Sequence, residues 1–185
     1  MSSSLQPLNL AQCKALFEAE PHDEYPRVLK HINLTVTHPH PGVPIAWLTA
    51  IHIRPYAANA EFLAIMDSES DELQQFGVAL FDRYGKIKSS LVDGKKGNGC
   101  WGAELNKQDI MYILDMQVDP NAIGKGVGSW ALKALVESEF VQESDFVMAW
   151  PTPTGRTKDQ AEWEALRAKQ IAFFRKVCSL PILKS

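Results

Sequence analysis

Three alternating glycines, Gly124, Gly126 and Gly128, stand between an apolar run that ends at Val118 and a segment with helical spacing. Nothing else constrains this chain as much. Ile110 to Val118 is its clearest strand pattern, Pro120 ends that strand, and a helix is predicted from about Gly126 to Glu143. Glycine lets backbone N–H groups come close to a ligand where a side chain would clash. The first turn of a helix leaves N–H groups without partners at the positive end of its dipole, which favours an anion. Lys125 adds a mobile positive charge. Strand, turn and helix together suit a diphosphate.

The rest of the chain supplies a sheet and further helices. Residues 1–25 read as an N-terminal extension in which Asn9 caps a short helix through Leu10, Ala15, Leu16 and Phe17; residues 26–185 read as one domain. Arg27 to Thr37 alternates apolar and polar residues and predicts a strand, and His38 to Gly42 predicts a Pro-rich turn. Ile45 to Ile53 and Glu61 to Met66 are strand-like apolar runs. Asp71 to Tyr84 predicts an amphipathic helix stopped by Gly85. After a Gly- and Lys-rich loop, strand signals resume at Cys100 to Leu105. A strand at Asp145 to Trp150, a turn at Pro151 to Gly155 and a helix at Asp159 to Val177 follow, with Thr157 and Gln160 as a capping box. The order predicts an α+β fold with a mixed sheet.

Composition narrows the function classes. A formal net charge of −3, without a run of five Lys or Arg, argues against nucleic acid or a membrane surface as partner. Cys13, Cys100 and Cys178 are scattered and form no CxxC pair, so neither a disulfide framework nor a zinc site is indicated. With no signal-peptide pattern and no apolar stretch of spanning length, the reading is cytoplasmic or nuclear.

Three kinds of protein use such a turn. A P-loop needs a glycine where Asp119 stands and a Ser or Thr where Gly126 stands. A dinucleotide fold needs its third glycine one residue later than Gly128. The stretch from Val118 to Leu135 resembles the GNAT superfamily of acyl-CoA-dependent N-acyltransferases: a strand ending in Val-x-Pro, then Arg or Gln, two residues, Gly, any residue, and Gly or Ala. The later strand at Phe146 to Trp150 and the segment Gln170 to Ser179 also resemble that family. So, more loosely, do Trp101 to Glu104 and the block from Phe62 to Tyr84, which look like fungal members.

The resemblance implies a mostly antiparallel central sheet with helices on both faces, and an acetyl group passed from acetyl-CoA to an amine by direct attack. It implies a cofactor site at Met116, Gln117, Val118, Ile123, Gly124, Lys125, Gly126, Val127, Gly128, Ser129 and Trp130. Pantetheine would pair with the backbone near Met116 to Val118, where the strand splays from its neighbour at a bulge. The attacking amine must be neutral. Asp115, inside the strand, is the first candidate base, since burial makes a carboxylate a better base. Glu104 is the second. No metal is implied.

Two positions depart from the family. Ile123 stands where Arg or Gln is usual. Phe174 stands where many members place a Tyr that protonates the leaving thiolate. An acyl-CoA-binding or interaction module without turnover is therefore the alternative reading. The family's last helix is normally followed by two strands, and Leu180 to Ser185 is too short for them. A C-terminally truncated fold is expected, with an apolar edge at 145–150 that lowers stability or recruits a second copy as a homodimer. His38 and His40 read as solvated loop residues, Cys178 as a helix-end residue, Trp130 and Trp150 as channel or core residues. Asp67, Glu69, Asp71 and Glu72 read as a helix start favoured by the dipole.

Overall fold

A computed structural model describes residues 8–39, 42–92, 102–150 and 159–178, with the side chains of 175–178 outside that description. Among these residues, five strands form one open sheet in the order β1 (Lys14–Pro21), β2 (Leu29–Thr37), β3 (Pro44–Ile53), β4 (Ile110–Val118), β5 (Phe146–Ala149). The first four are antiparallel neighbours, and β5 runs parallel to β4. The helices are α1 (Phe62–Glu69), α2 (Asp71–Leu80), α3 (Ser89–Val92), α4 (Val127–Val136) and α5 (Gln160–Cys178). The fold is α+β, with a mixed, mostly antiparallel sheet.

Period-2 alternation sends side chains to two faces. On the first face Ile51, Ile53, Ile110 and Tyr112 meet Phe62, Ile65, Met66, Leu73 and Phe76 of α1 and α2. On the second, Ile32, Leu34, Ala46, Leu48, Met111 and Ile113 meet Val127, Ala131, Leu132 and Leu135 of α4, and Phe173 and Phe174 of α5 pack against them. Helices thus cover both faces. No helix among the described residues is long and apolar enough to cross a membrane.

Several local expectations are corrected. Asn9 does cap a turn, its side chain accepting the Ala11 N–H at 3.0 Å, but that turn is one 3-10 turn, Leu10–Gln12. Residues 14–21 are then the edge strand β1. Ala15 and Phe17 pack inward at period 2, and Lys14, Leu16, Glu18 and Glu20 face solvent. Glu61 to Met66 is helix rather than strand, because Phe62, Ile65 and Met66 lie three and four apart and bury one face. The helix from Asp71 ends at Leu80, and Ser70 caps it by accepting the Leu73 N–H. Gly85 instead closes a turn joining the bridge Phe81–Ile87. Its φ is +71°, and a Cβ there would lie 2.4 Å from the Pro55 carbonyl oxygen, so only glycine fits.

Ala103–Asn106, expected as strand, is a 3-10 turn that buries Leu105; Cys100 and Trp101 lie outside the described residues. The helix after the glycines stops at Val136, seven residues before Glu143. Asp159 meets the first N–H groups of α5, accepting those of Ala161 (2.8 Å) and Glu162 (3.4 Å). Thr157, the turn 151–155 and residues 179–185 lie outside the described residues.

Candidate active site

β4 holds the site because its two neighbours treat it differently along its length. Ladder pairs run Ile53↔Ile110 to Ala50↔Ile113, then Thr49↔Asp115 to Ala46↔Val118. Leu114 is the extra residue of a bulge, and a bulge of one residue shifts the side-chain alternation. Strict alternation from Tyr112 would put Asp115 on the second face, under α4. The bulge turns it to the first face, beside Thr49. On its other side β4 pairs with β5 only from Ile110↔Phe146 to Ile113↔Ala149. Among the described residues, nothing pairs with 114–118 there, so alternate backbone N–H and C=O groups of that stretch face a gap.

The gap leads to the glycine turn. Asp119 accepts the Asn121 N–H at 2.8 Å, and the Ala122 N–H returns to the Asp119 carbonyl at 2.8 Å. Gly124 (φ +77°) and Gly126 (φ +84°) are both left-handed, and α4 starts at Gly126 without a side-chain cap. Among the described residues, nothing lies within 4 Å of a Cβ built on Gly124. Gly126 lies under Leu10, whose Cδ1 would be 3.1 Å from a Cβ. Gly128 is small for another reason: Met116 Cε and Phe173 Cζ stand 3.3 and 3.4 Å from where its Cβ would be, so it lets α4 settle on β4 and α5. Lys125 is exposed, and Ile123 is 65% exposed, offering no polar contact. Val127 is buried, Ser129 half-buried, and Trp130 packs against the second-face core; Trp150 is largely exposed.

Asp115 lies in an open groove of about 350 Å³ lined by Trp47, Thr49, Asp115 and Gln117. It is half-buried, so the burial on which its selection as base rested is only partial. Its restraint is a hydrogen bond: Gln117 Nε2 donates to Asp115 Oδ2 at 2.7 Å. Thr49 Oγ1 donates to Asn33 Oδ1 at 3.2 Å. Glu104 does not line the groove; it is exposed, and its Oε1 accepts the Gly102 N–H at 2.7 Å. Trp47 and Thr49 were missed from sequence. Their signal was present: a threonine and an indole at alternate positions of the largely apolar run 45–53 mark one wet face of a strand.

Two histidine clusters lie elsewhere. His22, His31 and Glu69 bring Nε2, Nε2 and a carboxylate oxygen within 4.8 Å of one another. The Nδ1 of His22, however, accepts the N–H groups of Glu24 (3.1 Å) and Tyr25 (3.0 Å). The ring proton must then sit on Nε2, which donates to Glu69 at 3.1 Å and has no lone pair for a metal. The cluster pins the β1–β2 hairpin to the end of α1. At the start of β4, Asp109 lies 3.2 Å from both His52 Nε2 and Arg54 Nε. Burial works to raise the Asp109 carboxyl, but hydrogen bonds from His52 and Tyr56 and the charges of His52 and Arg54 outweigh it and hold it below its ordinary value. Tyr112, buried on the first face, donates to Glu72 Oε1 at 2.7 Å; burial first, then that carboxylate, push its phenol far upward. Asp71 and Glu72 do occupy the first turn of α2, whereas Asp67 and Glu69 belong to α1. His38 is buried rather than solvated, and His40 lies outside the described residues, as does the Cys178 side chain.

No family model, curated protein or solved structure matches this chain.

Proposed function

We propose that this chain is an acyl-CoA-dependent N-acyltransferase of GNAT type, with acetyl-CoA as acyl donor and an amine as acceptor. One observation carries the reading: among the described residues nothing pairs with the β5 side of β4 past the Leu114 bulge, and that stretch leads directly into a turn of two left-handed glycines at a helix start without a side-chain cap. An extended thioester ligand needs both parts, a strand-like partner for its pantetheine amides and an anion site for its diphosphate. Among the described residues, the space left over Gly124 fits the second requirement, and the backbone of 114–118 without a partner on its β5 side fits the first.

Asp115 stands on the same five-residue stretch, facing the groove rather than α4. In that position it takes a proton from an incoming ammonium. The neutral amine then attacks the thioester carbonyl, the C–N bond forms, the C–S bond breaks, and the amine's surplus proton goes to the sulfur. Gln117 fixes the carboxylate oxygen it touches, leaving the other for the substrate.

The test is turnover of acetyl-CoA with a panel of primary amines, read as free thiol, together with calorimetry of CoA alone. A second reading, a CoA-binding module without turnover, is favoured by Phe174, which packs into the second-face core and offers no hydroxyl for the leaving thiolate. Binding without thiol release would select it.

A further inference from the structure

We infer that the acceptor is a linear diammonium chain, lying across the sheet with one amine at Asp115 and the other at Glu18; this rests on the acyltransferase reading above. The ladder places Glu18, Asn33, Thr49 and Asp115 in one row over four strands, through the pairs Glu18↔Asn33, Asn33↔Thr49 and Thr49↔Asp115. Paired residues share a face, so the two carboxylates look out on the same side, about 14 Å apart at three strand spacings. Between them lie an amide and a hydroxyl that bond each other, and no charge. In the next row Trp47, 42% exposed, pairs with Gln117 and presents an indole beside the path from one carboxylate to the other. Among the described residues no helix covers this part of the face. The cleft at its Asp115 end admits the reacting amine.

These groups select a shape as well as a charge. A lone ammonium at Asp115 uses one end of the row. A rigid or branched amine leaves Glu18 and the indole unused. An alkyl chain with an ammonium at each end matches both carboxylates and lays its methylenes along Trp47. Glu20, two residues from Glu18 and opposite His31 on the same face, strengthens the negative charge at the far end. Lys14, the basic residue on this face of β1, sits at the other end of that strand, opposite Thr37.

The experiment compares diaminooctane, octylamine and diaminopropane as acceptors of the acetyl group at low salt, with wild type and Glu18→Gln. Diaminooctane is expected to show a KM about fivefold below that of octylamine, an advantage lost in Glu18→Gln and at high salt. Diaminopropane, too short to reach both carboxylates, gains nothing. Equal KM values for diaminooctane and octylamine, or an advantage that survives Glu18→Gln, would overturn the diammonium inference while leaving the acyltransferase reading intact. No thiol release with any amine would overturn both.

Discussion

Thr49 of β3 stands directly opposite Asp115 of β4, while the next pair along the ladder is Ala50 with Ile113. That single skipped residue, Leu114, sets which face Asp115 takes. It turns a carboxylate out of the α4 face and into an open groove, and it falls where β4 loses its β5 neighbour.

Asp115→Asn keeps the size and the Gln117 neighbour but removes the proposed base. Turnover should fall by about a hundredfold or more, the lower end of what general-base removal costs. CoA affinity should stay within twofold, because the cofactor is assigned to backbone groups. Steady-state kinetics and calorimetry on the same preparation check this. A variant with full activity across pH would reassign Asp115 to structure.

The Tyr112–Glu72 hydrogen bond predicts an alkaline limit to stability. The folded chain holds the phenol far above its ordinary value of 10.0, so its contribution is complete below about pH 10 and is lost as pH rises beyond that. There the unfolded chain has released a proton that the folded one keeps, so stability should fall by about 1.4 kcal/mol per pH unit from this group. Urea melts between pH 9 and 12 should show that fall in wild type and a shallower one in Tyr112→Phe. At neutral pH the variant should lose about 1.5–3 kcal/mol, the range for a bond to a charged group.

Asp109 predicts the opposite limb. Its carboxyl is held below its ordinary value of 3.8, so its contribution is present above about pH 4 and disappears as pH falls through the lower folded value. Asp109→Asn should destabilise the chain by roughly 1–3 kcal/mol at pH 7 and should lack that acid-limb loss. Because Asp109 precedes β4 and the glycine turn follows it, CoA affinity should not change. Acid titration monitored by circular dichroism, with CoA calorimetry at pH 7, tests both statements.

What the sequence made legible was what depends on local pattern. Strands β2, β3, β4 and β5 and helix α5 lie close to where periodicity places them, and the αL glycines sit where strand, turn and helix signals meet. Two of the errors share one cause. In Ala15 to Phe17 and in Phe62 to Met66, short apolar runs fit both periods, and only the surface they finally meet decides: β2 for the first, α2 for the second. A bulge was expected where β4 splays from the next strand; the register shift found lies in the β3–β4 ladder, and nothing in Ile113-Leu114-Asp115 marks which residue is skipped. The face of Asp115 therefore stayed hidden, and with it Trp47 and Thr49, which come from a strand more than sixty residues earlier.

Gly124 offers the most direct test of the claim that the turn holds a diphosphate. Gly126 is a poorer probe, because a side chain there meets Leu10. At Gly124 no described residue stands in the way of a side chain, and Asn and Asp tolerate its left-handed backbone better than most residues, so both variants should melt within a few degrees of each other. The pair differs by one charge at the point where the anion would lie. Calorimetric titration of CoA into wild type, Gly124→Asn and Gly124→Asp should show binding in the first two and a loss of about tenfold or more in the third relative to the second. Equal affinity in the Asn and Asp variants, or no CoA binding by wild type, would contradict the assignment of this turn.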